Sequence, residues 1–186
     1  MEGNAVEYNV AQLLKSPVGT SRQYDVDEPL DRIDEYEVSG PVQGQVKLTR
    51  TNRGVYVDAR LGATVKLVCG RCLEEADESV QVRIREEYLP TVDVSTGLPV
   101  AERPDEEAGT IDEHHILSLD DAFRQYTLLE LPMRPLCRPD CKGLCPRCGK
   151  NLNEGPCDCL PEPASEGLEP LAKLLRDLET RESERG

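Results

Sequence analysis

Eight cysteines carry most of the chemistry legible in this chain, and they fall into close couples: Cys69 and Cys72, Cys137 and Cys141, Cys145 and Cys148, Cys157 and Cys159. Two thiolates two residues apart on a tight turn can both point at one ion, whereas a disulfide across such a couple closes a strained small ring. Cys145-Pro146-Arg147-Cys148-Gly149 has the form of a zinc knuckle. Pro sets the entry to the turn, and Gly allows a positive φ after the second ligand. Cys69-Gly70-Arg71-Cys72 is a plainer knuckle. Zinc suits such donors because it takes four thiolates tetrahedrally and is inert to redox in a reducing cytoplasm.

Chain economy groups Cys145, Cys148, Cys157 and Cys159 into one small site closed around the 151–155 loop. That leaves Cys69 and Cys72 to be joined by Cys137 and Cys141 in a long-range clip. Two structural Zn²⁺ sites are therefore expected, each filled by four thiolates with no slot open for a catalytic water. One zinc with spare thiols, a set of disulfides, or an iron–sulfur cluster are the alternatives. A redox dithiol lacks its usual βαβ context here.

Other catalytic chemistry is sparse. His114 and His115 sit beside Asp112 and Glu113, but neighbours on a strand point to opposite faces, so a surface strand-edge pair is expected. The sequence holds no nucleophile elbow, no phosphate-cradling Gly loop and no H-E-x-x-H. A non-enzyme is expected.

The elements that must position the cysteines read as α+β: an antiparallel β meander or barrel-like sheet, a few flanking helices, and a cysteine-rich zinc-binding segment. Residues 6–15 have helical spacing, with Asn9 to cap and Pro17 to stop. Val42, Val46 and Leu48, then Val55, Val57, Ala59 and Leu61, then Val80, Val82 and Ile84 alternate with polar residues at period two. Asn52-Arg53-Gly54 marks a turn, and Cys69 to Cys72 fall at the tip of the second hairpin. Residues 20–26 add a candidate edge strand and 111–117 another. Residues 118–121 offer a helix cap ahead of Ala122, Phe123, Tyr126 and Leu129. The expected organisation is a β-rich core with its N-terminal helix over 1–90 and an acidic linker over 91–113. A helix and zinc segment packed on the core follows over 114–160, then a linker and amphipathic C-terminal helix over 161–186. That last helix would carry Leu168, Leu171, Leu174, Leu175 and Leu178 along one stripe.

With 36 acidic against 22 basic residues the net charge is -14, so long-range repulsion opposes whole-surface binding to nucleic acid. No run approaches the ~18 apolar residues of a membrane span, and no signal-peptide pattern opens the chain. A cytoplasmic location and no membrane partner are expected. Each zinc held by four thiolates adds a further -2, which cancels the mild basic excess of 132–159. A local patch of Lys47, Arg50, Arg53, Arg60 and Lys66 on the meander is the candidate for direct RNA contact, although ordinary solvation explains those residues about as well.

Two motifs taken together point to a family. Cys69-Gly-Arg-Cys72-Leu-Glu is followed by Leu131-Pro-Met-Arg-Pro-Leu-Cys137-Arg-Pro-Asp-Cys141-Lys-Gly-Leu-Cys145-Pro-Arg-Cys148-Gly-Lys-Asn-Leu-Asn153 and Cys157-Asp-Cys159. With Asn9-Val-Ala-Gln-Leu-Leu-Lys-Ser-Pro-Val-Gly19, this pattern resembles the YceD family, or large ribosomal RNA subunit accumulation proteins of bacteria and plastids. The resemblance implies a role in producing or accumulating large-subunit ribosomal RNA, without an established enzymatic activity. It also implies a usual genomic association with a small basic ribosomal protein of the large subunit, and with the acidic charge this makes a basic ribosomal protein, or a pre-ribosomal particle reached through one, the expected partner. Some relatives place histidine at the positions of Cys137 and Cys141, which suits a shared zinc site with Cys69 and Cys72. Others lack parts of the second group, which implies that Cys145, Cys148, Cys157 and Cys159 support the fold. Direct contact with ribosomal RNA and the oligomeric state stay open.

Overall fold

The structure, a computed structural model, describes residues 6–100, 109–159 and 173. The expected C-terminal leucine stripe and the acidic run 102–107 lie outside the described residues. The chain divides into two units, Met1–Cys141 and Lys142–Gly186. The boundary falls inside the segment 114–160, between Cys141 and the second group of cysteines.

In the first unit, alternation dictates the sheet. Along β5 (Pro41–Arg50), β6 (Val55–Val68) and β7 (Glu75–Pro90) successive side chains face opposite sides. Val42, Val46, Leu48, Val57, Ala59, Leu61, Val65 and Ile84 are fully buried. Their neighbours Lys47, Arg60, Arg83 and Arg85 lie exposed on the other face. β2 (Ser21–Pro29) pairs antiparallel with β5, β5 with β6, and β6 with β7, so the meander forms with β2 at its edge. At Gly44 a side chain would drive its Cβ into the backbone of Arg60, so glycine lets β5 approach β6 there. Between β2 and β5, β3 (Arg32–Ile33) and β4 (Tyr36–Glu37) make a separate small hairpin.

The large sheet continues through β8 (Gly109–Ile111) and β9 (Ile116–Ser118) to β1 (Glu7–Asn9), giving seven strands in the order β1-β9-β8-β7-β6-β5-β2. It is curled into a half barrel. β8 runs parallel to β7, so the expected antiparallel meander is part of a mixed sheet. The connection explains the difference. A short turn would force antiparallel pairing, but the chain between Pro90 and Gly109 is long enough to bring it back to start β8 in the direction of β7.

Two more expectations change. Residues 6–15 form β1 and then only one helical turn, α1 (Ala11–Leu14). The open edge of β9 captures residues 7–9 in strand pairing, and Asn9 Oδ1 accepts from Ala11 N at 3.1 Å instead of capping a long helix. Val10, Leu13 and Leu14 are nevertheless buried. His114 and His115 lie in the β8–β9 turn, not on a strand: Asp112 Oδ1 accepts from His114 N and Ile116 N, and His115 has a φ of 61°. α2 (Asp120–Glu130) forms with Asp120 and Asp121 in its first turn, where carboxylates complement the helix dipole. Ala122, Phe123 and Thr127 are its buried face, whereas Leu129 is 80% exposed.

In the second unit, residues 142–159 contain no helix or named strand. Tight turns hold it instead. Cys145 N donates to Lys150 O at 2.8 Å, Gly149 N to Cys145 O at 2.9 Å, and Leu152 N to Gly143 O at 2.8 Å.

Candidate metal centres

The β6–β7 hairpin carries Cys69 and Cys72 in its turn. Leu73 N donates back to Cys69 O at 3.0 Å, closing the knuckle, and Cys69 N donates to Glu74 O at 2.9 Å. The chain returning after α2 brings Cys137 and Cys141 against this turn. Gly70 N donates to Pro135 O at 2.8 Å, and Arg71 Nη1 to Cys141 O at 2.8 Å. The four sulfurs of Cys69, Cys72, Cys137 and Cys141 lie within 4.8 Å of one another, all in the first unit, with three of the four residues buried. Cys145, Cys148, Cys157 and Cys159 form a second tetrad within the same limit, wholly in the second unit, with Cys148 exposed.

The donor set fits a four-thiolate metal. A metal–sulfur bond of about 2.3 Å in a tetrahedron puts its sulfurs about 3.8 Å apart. Cys69 Sγ is 3.8 Å from Cys141 Sγ, and Cys72 Sγ is 3.5 Å from Cys137 Sγ. None of the eight cysteines is joined in a disulfide. Both tetrads can therefore hold metal ions.

The thiols also behave as a cation site should. Backbone donors of Cys72, Cys137 and Arg71 pull the Cys69 thiol down to about 6. The Arg71 N–H itself lies 3.5 Å from Cys69 Sγ. In the second tetrad, the backbone N–H groups of Cys148 and Arg147 bring Cys145 down to about 6. Their companions go the other way: the Cys72 sulfur and burial push Cys137 up to about 12, and the Cys148 sulfur and burial do the same to Cys159. Each cluster thus lowers one thiol while raising a neighbour, Cys69 against Cys72 and Cys137 and Cys145 against Cys159, because negative sulfurs a few ångströms apart repel. A divalent cation removes that conflict.

The five basic residues of the expected patch are not brought together as one surface. Arg50 is half-buried and donates Nε to Leu14 O at 3.1 Å and Nη1 to Gly54 O at 2.9 Å, so its guanidinium joins α1 to the β5–β6 turn. Lys66 sits 3.4 Å from Glu37 Oε2. Arg53 lies exposed in the β5–β6 turn. Lys47 and Arg60 do converge, with Arg83 and Arg85 of β7, around Asp58: strand register sets Lys47, Asp58 and Arg85 in one row, and Arg60 with Arg83 in the next. Arg83 donates to both Asp58 carboxylate oxygens, at 3.1 and 2.9 Å, and holds that carboxyl below its usual range, with the charges of Arg85 and Arg60 adding to the effect. Beyond their strand pairing, the side chains of Lys47, Arg60 and Arg85 make no hydrogen bond or ion pair among the described residues. Sequence reasoning missed Arg83 and Arg85, although their alternation with Val82 and Ile84 is the signal that marks them as outward.

A family model described as large ribosomal RNA subunit accumulation protein YceD matches residues 57–175, which include all eight cysteines. A large ribosomal RNA subunit accumulation protein YCED homolog 1, chloroplastic, of Arabidopsis thaliana is 27% identical over 172 residues, covering 81% of this chain and 53% of that protein. The protein of the same description in Zea mays is 29% identical over 168 residues, covering 73% and 54%. An uncharacterized protein of Mycobacterium tuberculosis is 34% identical over 111 residues, covering 60% and 51%. The chain spans about half the length of the curated relatives it matches. No solved structure matches it. Among the described residues no helix is long and apolar enough to cross a membrane.

Proposed function

The chain belongs to the YceD family of large ribosomal RNA subunit accumulation proteins, and from that membership we propose that it sustains large-subunit ribosomal RNA as a non-enzymatic, zinc-stapled binding factor. Its client is a basic ribosomal protein of the large subunit, or a pre-ribosomal particle reached through one, and it acts in the cytoplasm. The observation that carries this reading is the family match across both cysteine tetrads. Cys69, Cys72, Cys137 and Cys141 would hold one Zn²⁺ and Cys145, Cys148, Cys157 and Cys159 the other. Bound there, zinc supplies cross-linking and no Lewis-acid step, because all four positions of each ion are taken by sulfur. The net charge of -14 favours a cationic protein as client over bare RNA.

A second reading, direct contact with ribosomal RNA, has Lys47, Arg60 and Arg85 on its side. The test sets the two side by side. The purified protein is offered basic large-subunit ribosomal proteins and a naked ribosomal RNA fragment across a salt series, with bound metal counted per chain. Retention of the proteins with only weak RNA binding is expected. Tight RNA binding that falls steeply with salt and is lost in Lys47→Ala, Arg60→Ala chains favours the second reading.

A further inference from the structure

On the first unit, near its cysteine tetrad, a groove of about 790 Å³ opens between the β3–β4 hairpin, the end of β6 and the chain that follows α2. Its floor and walls are apolar, from Leu67, Val68, Leu128, Leu131 and Met133. Two of these are left in water: Val68 is 55% exposed and Met133 fully so. The rim is acidic, with Glu35, Glu37 and Glu75, and among the described residues the one cation lining it, Lys66, is already beside Glu37. An apolar trough with carboxylates at its lip is complementary to a chain that carries aliphatic anchors among lysines or arginines.

We propose that this groove is the seat for a cationic, leucine-bearing protein segment. This rests on the reading that the client is a basic protein and says where it binds. The walls have different origins in the sequence. One is the end of the β6–β7 hairpin, and the other is the 131–135 stretch. The first tetrad joins them, Cys69 and Cys72 lying in the turn of one and Cys137 and Cys141 in the chain just after the other, with Gly70 N on Pro135 O as an added tie. Filling that tetrad fixes the width of the groove, so the metal has a part in binding without touching the client.

The experiment uses the full chain loaded with zinc and a fluorescent synthetic peptide with leucines at i and i+4 among lysines. A control peptide has the leucines replaced by serine at equal charge. The wild-type chain is expected to bind the lysine–leucine peptide about tenfold more tightly than the control. The exposed-site variants Val68→Ser with Met133→Ser, and separately Glu37→Lys with Glu75→Lys, are expected to lose about tenfold in affinity while retaining the same zinc content and circular dichroism. Equal binding of the two peptides, or variants that bind as the wild type does, overturns the proposal. A second arm offers a mixture of basic large-subunit ribosomal proteins to wild type and variants. Retention by wild type that the variants lose supports the groove. Equal retention by both removes the groove and leaves the client reading standing, and no retention by wild type removes both.

Discussion

Two cysteine knuckles with the same backbone solve one problem with different residues. After Cys148 stands Gly149, with a φ of 72°, and its N–H bonds to Cys145 O. After Cys72 stands Leu73, with a φ of 61° and the equivalent bond to Cys69 O. The left-handed region costs a non-glycine residue roughly 1–2 kcal/mol, partly offset by the roughly 0.5–1 kcal/mol of extra chain entropy that glycine loses. Leu73 is 65% exposed, so little packing is lost with its side chain. Leu73→Gly is therefore expected to stabilise the zinc-loaded protein by about 0.5–1 kcal/mol in urea unfolding. Gly149→Leu is expected to weaken zinc retention at the second tetrad against a competing chelator. Equal effects of the same sign would contradict the shared geometry.

The thiols give a pH prediction at the same scale. In the metal-free protein Cys69 and Cys145 are held near 6 against an ordinary 9.0, so their contribution to stability is complete above pH 9 and is lost as pH falls through about 6. Cys137 and Cys159, raised to about 12, favour folding below pH 9 and cease to as pH rises toward 12. At neutral pH the latter two are protonated, so zinc loading is expected to release at least one proton from each tetrad. Titration with a pH indicator in weak buffer measures it, and loading without proton release would mean that these sulfurs do not take the ion.

At the scale of elements, Arg50 and Arg60 separate two roles that look alike in sequence. Arg50 joins α1, β5 and the β5–β6 turn through two backbone carbonyls, and removing such bonds from a half-buried site costs about 1–3 kcal/mol. Arg60 stands in water on the outer face of β6, where a substitution stays within about 0.5 kcal/mol. Arg50→Ala should lower the urea midpoint clearly and Arg60→Ala hardly at all, each read at a fixed zinc content. The strands themselves were legible: the period-two runs at 42–48, 55–61 and 80–84 all lie within strands. The fate of residues 6–15 was not. Their apolar spacing fits a helix, and only the unfilled edge of β9 turns residues 7–9 into a strand.

For the whole molecule, the two units differ in what holds them. The first has a seven-stranded sheet and a continuous apolar core, whereas residues 142–159 have turns and four sulfurs. With its four sulfurs placed to take an ion, a segment so short on buried apolar surface would draw its folding free energy from a metal bound there. Chelation is expected to abolish amide-exchange protection through 142–159, while strands β5, β6 and β7 stay protected and the 69–74 turn loosens. Uniform loss across the sheet would mean that the core depends on metal too. Counting metal per chain during the chelation links each loss to its tetrad.

The sequence by itself determined the donor chemistry and the inward face of the strands, because couple spacing and period-two alternation are local properties of the chain. The tertiary structure alone decided the parallel placement of β8, the separation of Arg50 from Arg60, the row of Lys47, Asp58 and Arg85, and the acid-lipped groove. Each of these depends on which strands become neighbours and in what register, and pairing across long loops is set by how the whole chain buries its apolar surface.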